Sequence, residues 1–110
     1  PASSDTVTTS ADQEDHVSMA NFAARKLRTA VINAQRVIAI ELHAAAQGRE
    51  FNKTLQAGVG AQAAYEFIRK NVPPLKSDRY MTPELDRITT LVADGSIRVA
   101  VERKVGKLRE

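Results

Sequence analysis

Seven consecutive residues, Gln13-Glu14-Asp15-His16-Val17-Ser18-Met19, gather an amide, two carboxylates, an imidazole and a hydroxyl just ahead of a long helical pattern. Backbone N–H groups at a helix mouth attract an anion or stabilise a carboxylate. A carboxylate tuned by burial can accept an imidazole N–H or move a proton. Capping alone is the structural alternative, because acidic first turns are common, and residue types by themselves favour it. Asp15, His16 and Ser18 are the residue types of a hydrolytic triad, but neighbours on a helix point in different directions. His16 and His43 each lack a second ligand at metal spacing, so no metal site is expected. Gly58-Val59-Gly60 lacks the third glycine, the preceding strand and the lysine of a phosphate loop.

The elements that must position this cluster read as all-α. Residues 1–15 are rich in Ser, Thr and Asp, and form an acidic loop leading to a helix start. Ser10 and Gln13 match a capping box, which places that start between Ser10 and Asp15. A long bundle helix then spans 16–48, with an apolar stripe through Ala20, Leu27, Val31, Val37/Ile38, Leu42 and Ala45. Gly48 is its natural stop. Such a rod exceeds 30 residues, or about 45 Å at 1.5 Å per residue. Its alanines permit close approach of other helices, and Glu41, on the stripe's spacing, would need a structural partner if buried.

Shorter helices follow in a subdomain covering 49–110. One runs from Ala61 to Asn71 and ends at Pro73-Pro74. The next restarts at Thr82-Pro83, as a cap residue and a first-turn proline, and stops at Asp94-Gly95. Ser96 is placed to cap a last helix through Ile97, Val101, Val105 and Leu108.

Composition limits what else the chain can be. At 110 residues there is room for one domain, and large anchors are scarce, with three Phe, two Tyr and no Trp. A core built mostly from alanine buries little area per residue, so part of it is expected from another segment or subunit. No cysteine is present, which excludes a disulfide scaffold and fits a reducing, cytoplasmic compartment. No apolar run reaches the roughly 20 residues of a membrane span. From Ser96 onward five basic residues face two acidic ones, without aromatics or a recognition motif, which argues for a solvated helix end over nucleic-acid binding. Pro1 stands where an initiator would, and the expectation is a piece of a longer chain.

The stretch Ser10-Ala11-Asp12-Gln13-Glu14-Asp15-His16-Val17-Ser18-Met19 resembles the signature in the C-terminal third of histidine ammonia-lyases. The similarity continues through Ala23-Ala24-Arg25-Lys26-Leu27, Val37-Ile38-Ala39-Ile40-Glu41-Leu42 and Ala44-Ala45-Ala46-Gln47-Gly48. Asp78-Arg79-Tyr80 and Pro83-Glu84-Leu85 look like the family's later helical hairpin. The resemblance implies a helical homotetramer whose active sites draw residues from several subunits, and a methylidene-imidazolone (MIO) electrophile made from an internal Ala-Ser-Gly. It implies loss of ammonia from an α-amino acid, best matched to L-histidine giving urocanate. It places Glu14 on the family's catalytic, substrate-contacting glutamate and Gln13 beside it in the substrate site, with Asp15 and His16 as structural support. This chain has no Ala-Ser-Gly, and Tyr65 and Tyr80 do not match the family's catalytic tyrosine, so the upstream part of the enzyme must supply both. Asp5-Thr6-Val7-Thr8 stands in place of the Asp-Ser-Ile-Pro of many histidine enzymes. A lyase or aminomutase acting on tyrosine or another aromatic amino acid is the alternative within the family, and a non-catalytic helical oligomerisation module the alternative outside it.

Overall fold

A computed structural model describes residues 1, 4–14, 16–52 and 54–109. The described residues form four helices and no strand: α1 (Ala20–Phe51), α2 (Val59–Asn71), α3 (Thr82–Ala93) and α4 (Ser96–Val105). The all-α expectation holds, with one 32-residue helix ahead of three short ones. Two compact units divide the chain, Pro1–Ala34 and Gln35–Glu110, and each is described by itself.

In the first unit the helix begins at Ala20, later than the Ser10–Asp15 window and the expected boundary at residue 16. The reason is backbone geometry. Ser10, Ala11 and Asp12 have φ values of 55°, 53° and 64°, in the left-handed region, where no right-handed helix can propagate. The Gln13 and Glu14 N–H groups are bound to the carbonyls of Ser10 (3.2 Å) and Thr9 (3.2 Å). Ser10 and Gln13 therefore close a turn and do not cap a helix. Ser18 takes that role nearer the true start, its hydroxyl accepting the Ala20 N–H at 3.4 Å.

In the second unit α1 passes through Gly48 and ends at Phe51. A mid-helix glycine costs about 1 kcal/mol relative to alanine, and anchored neighbours offset that cost. Gln47 binds both backbone groups of Leu75, donating to its carbonyl at 3.1 Å and accepting its N–H at 2.9 Å. Glu50 accepts from Tyr65 (2.6 Å) and Arg69 (2.9 Å).

The short helices follow the sequence punctuation with small shifts. α2 starts two residues early, at Val59. Thr82 is the first residue of α3 and not its cap; the Met81 carbonyl accepts the first N–H groups, from Glu84 and Leu85. Ser96 likewise lies inside α4. Gly95, at φ 75°, makes the left-handed corner that few other residues could adopt, and the Asp94 carboxylate accepts the Ser96 N–H at 2.8 Å. Interaction with Ser96, its side chain first and its backbone N–H second, holds Asp94 below the usual carboxylate range.

α2 packs on α4, and α3 on both. The core of this unit joins Ala39 and Ala46 of α1 to Ile68, Val72 and Ile88, with Leu42, Tyr65, Val92 and Ile97 packed around them. The face of α1 that reaches this core is the Ala39, His43, Ala46 line. The larger side chains of the expected stripe, Val37 and Ile38, are exposed, as is Glu41. Among the described residues no helix is long and apolar enough to cross a membrane.

Candidate active-site segment

Of the cluster read from the sequence, Ser18 stands at the mouth of α1, whereas Gln13 and Glu14 sit on a narrow loop. Its base is one hydroxyl: Thr6 Oγ1 accepts the Val17 N–H at 2.9 Å and lies 3.1 Å from the Val17 carbonyl, to which it donates. Its upper rung is an isolated antiparallel bridge between Thr9 and Glu14, with N–H to carbonyl distances of 3.0 and 3.2 Å. The left-handed turn Ser10–Asp12 closes the tip. β-branched Thr suits the extended rungs, whereas the turn has no glycine to ease it.

Gln13 and Glu14 are adjacent on this loop, and both are exposed. Thr9 Oγ1 donates to Glu14 Oε2 at 3.0 Å. His16 is exposed, two residues further on. Asp15 lies outside the described residues. Glu14 precedes the first helical residue by six positions and so lies outside the first turn of α1. Its chemistry must come from hydrogen bonding and from whatever faces it.

The second unit holds two polar networks that residue types alone did not announce. In one, Glu84 accepts a two-pronged contact from Arg79, Nε to Oε1 at 2.7 Å and Nη2 to Oε2 at 3.2 Å, while His43 Nε2 stands 3.3 Å from Oε2. Arg79 also donates to the carbonyls of Pro73 (3.0 Å) and Pro74 (3.2 Å), which no helix could satisfy. His43 is 6% exposed. The Arg79 guanidinium holds Glu84 below the usual carboxylate range; burial opposes this, and His43 reinforces it. In the other, Glu50 joins Tyr65 and Arg69, and the Arg69 guanidinium also lies 5.7 Å from the Tyr65 ring centroid. Both networks tie helix ends and loops together, as fork-shaped arginine contacts do.

Among the described residues, the clefts of the same unit include two lined by its helices. One, of about 460 Å³, lies between α2 and α4 beside Phe67, Lys70, Ser96 and Arg103. The other, of about 310 Å³, is apolar and lined by Leu42, Ala45, Ala61, Tyr65 and Ile68. Neither includes Gln13, Glu14 or His16.

A helical chain with a polar loop leading into a 32-residue helix defines a class that comparison with known proteins makes specific. The sequence model described as aromatic amino acid lyase matches residues 1–70. The chain belongs to this family. Histidine ammonia-lyase of Deinococcus radiodurans is 54% identical over 101 residues, 91% of this chain and 19% of that protein. The crystal structure of histidine ammonia-lyase from Trypanosoma cruzi superposes with a TM-score of 0.84 at 39% identity, over 94% of this chain and 20% of that one. Tyrosine aminomutase from Streptomyces globisporus gives a TM-score of 0.85 at 32% identity, with the same coverage. The chain thus spans about a fifth of the length of the relatives it matches.

Proposed function

We propose that this chain works within a longer polypeptide that eliminates ammonia from an α-amino acid, with L-histidine as substrate and urocanate as product. One observation carries the reading: 54% identity to a histidine ammonia-lyase across 91% of the chain. The Glu14-Asp15-His16 form of the loop motif supports it. Alone, the chain is inactive, and the assembled enzyme is a homotetramer of soluble, cytoplasmic type with sites shared between subunits.

The MIO electrophile that the family implies cannot be made from this chain, which contains no Ala-Ser-Gly. The residues present fit a position beside such a group: Glu14 is an exposed carboxylate with one oxygen held by Thr9. In the complete enzyme the electrophile activates the substrate amine as a leaving group. Glu14 is the catalytic residue of this chain. It accepts an imidazole N–H, which orients the ring, and moves a proton during elimination. Gln13 donates or accepts alongside it as a second substrate contact. Asp15 and His16 support the segment.

The complete protein, incubated with L-histidine and with L-tyrosine, should accumulate the conjugated acrylate only from histidine, read by its ultraviolet absorbance. Glu14→Gln should lower turnover by roughly 10²- to 10⁴-fold, the range of a general acid–base group. Its thermal melting should be unchanged, because glutamine keeps the size of the side chain and an oxygen that can accept the Thr9 hydroxyl. An unchanged rate would remove Glu14 from the mechanism. The likeness to tyrosine aminomutase favours one second reading, 2,3-amino migration on tyrosine, for which a β-amino acid product seen by chromatography is the discriminating result.

A further inference from the structure

The loop carrying Glu14 is built as a two-rung hairpin with a threonine hydroxyl at each rung. Thr6 clamps Val17 at the base, and Thr9 pairs with Glu14 at the tip. Thr9 holds its partner three ways: it exchanges both backbone hydrogen bonds with Glu14, and its hydroxyl donates to Oε2 at 3.0 Å. The backbone pair sets where the Glu14 Cα sits, and the hydroxyl removes rotational freedom from the carboxylate. Among the described residues only Oε2 is engaged, which leaves Oε1 for another partner. The turn that brings the two residues face to face is strained, with three consecutive non-glycine residues at φ between 53° and 64°. Such strain persists where the surrounding contacts over-determine it.

We propose that Thr9 is the positioning residue of Glu14, fixing the carboxylate for the reaction through its side-chain hydroxyl. This rests on Glu14 being the catalytic carboxylate. A hydrogen bond to a charged group is stronger than one between neutral groups, and a small loss of orientation costs rate more than binding. Thr9 itself need not touch substrate.

The test uses the complete enzyme and the amino acid it turns over. Thr9→Val keeps the shape and β-branching and removes the donor; Thr9→Ser keeps the donor. Thr9→Val should lower kcat roughly ten-fold, the scale of one hydrogen bond to a charged group, with KM changed less than about two-fold. Thr9→Ser should restore most of the rate. In a Glu14→Ala background, Thr9→Val should cause no further loss, because the bond it removes is already gone. Thr9→Ala carries the same test should the valine variant fail to fold. A wild-type rate in both Thr9→Val and Thr9→Ala, beside a crippled Glu14→Ala, overturns the proposal and leaves the reading of Glu14 intact. A full loss persisting in the Glu14→Ala background also overturns it, since Thr9 would then act through the fold. A wild-type rate in Glu14→Ala sinks the reading of Glu14 itself.

Discussion

Glu84 shows how one half-buried residue joins separate pieces of chain. It receives a guanidinium that also binds the carbonyls of Pro73 and Pro74, and an imidazole from α1. Neutralising it leaves Arg79 without its anion while His43 stays buried. Glu84→Gln should therefore lower stability by about 1–3 kcal/mol, discounted from a fully buried pair because Arg79 is partly exposed. The pH dependence follows from the sign of its shift. The folded-state pKa lies below the ordinary 4.5, so the stabilising contribution is fully present above that value. It fades as pH falls through the folded pKa, where the unfolded chain already binds the proton more readily. Melting temperatures of wild type and Glu84→Gln should converge as pH drops from about 6 toward about 3. A constant gap between them would mean that the carboxylate's charge is not what stabilises the junction.

At the scale of elements, helix ends marked by proline or glycine corners were legible, and ends set by tertiary contacts were not. Pro73-Pro74, Thr82-Pro83 and Asp94-Gly95 punctuate α2, α3 and α4 within a residue or two, because ring sterics and left-handed φ act locally. The start of α1 was misplaced because Ser10, Ala11 and Asp12 enter the left-handed region without glycine, and nothing in their types announces it. Its end was misplaced because Gln47 and Glu50 are held by residues 15 to 28 positions away. The same division applies to the candidate site. Glu14 was legible through a resemblance, whereas Thr9 required the geometry of the turn between them. That turn makes its own prediction. Left-handed alanine costs about 1–2 kcal/mol, which glycine avoids, and a β-branched residue costs more. Ala11→Gly should therefore slow proteolytic nicking of the loop and Ala11→Ile should speed it, whereas identical nicking rates in the two variants would mean Ala11 is not left-handed in solution.

For the whole molecule, the balance of apolar side chains decides what the chain needs. Among the described residues, seven apolar side chains are buried, three of them alanines, while fifteen large hydrophobics are exposed. Phe22, Leu27 and Val31 are exposed in the first unit, and Val37, Ile38 and Ile40 in the second. At roughly 25 cal/mol per Å² of apolar area, each of these large side chains left in water forgoes stabilisation that burial would supply. Scattered exposed hydrophobics need no explanation, but so many on one long helix do. The proposed reading requires the rest of a longer polypeptide to cover these side chains, and a single substitution separates covered from bare. Ile38→Asp in the complete protein should behave as a core substitution, costing about 3 kcal/mol or more or abolishing soluble expression, because it buries an unpaired charge. In the isolated 110-residue chain the same change should raise solubility and weaken hydrophobic-dye binding, because there it adds charge to a wet surface. Opposite signs in the two contexts are the expected result. A cost within about 0.5 kcal/mol in the complete protein, the range for ordinary surface positions, would mean that Ile38 stays in water there as well.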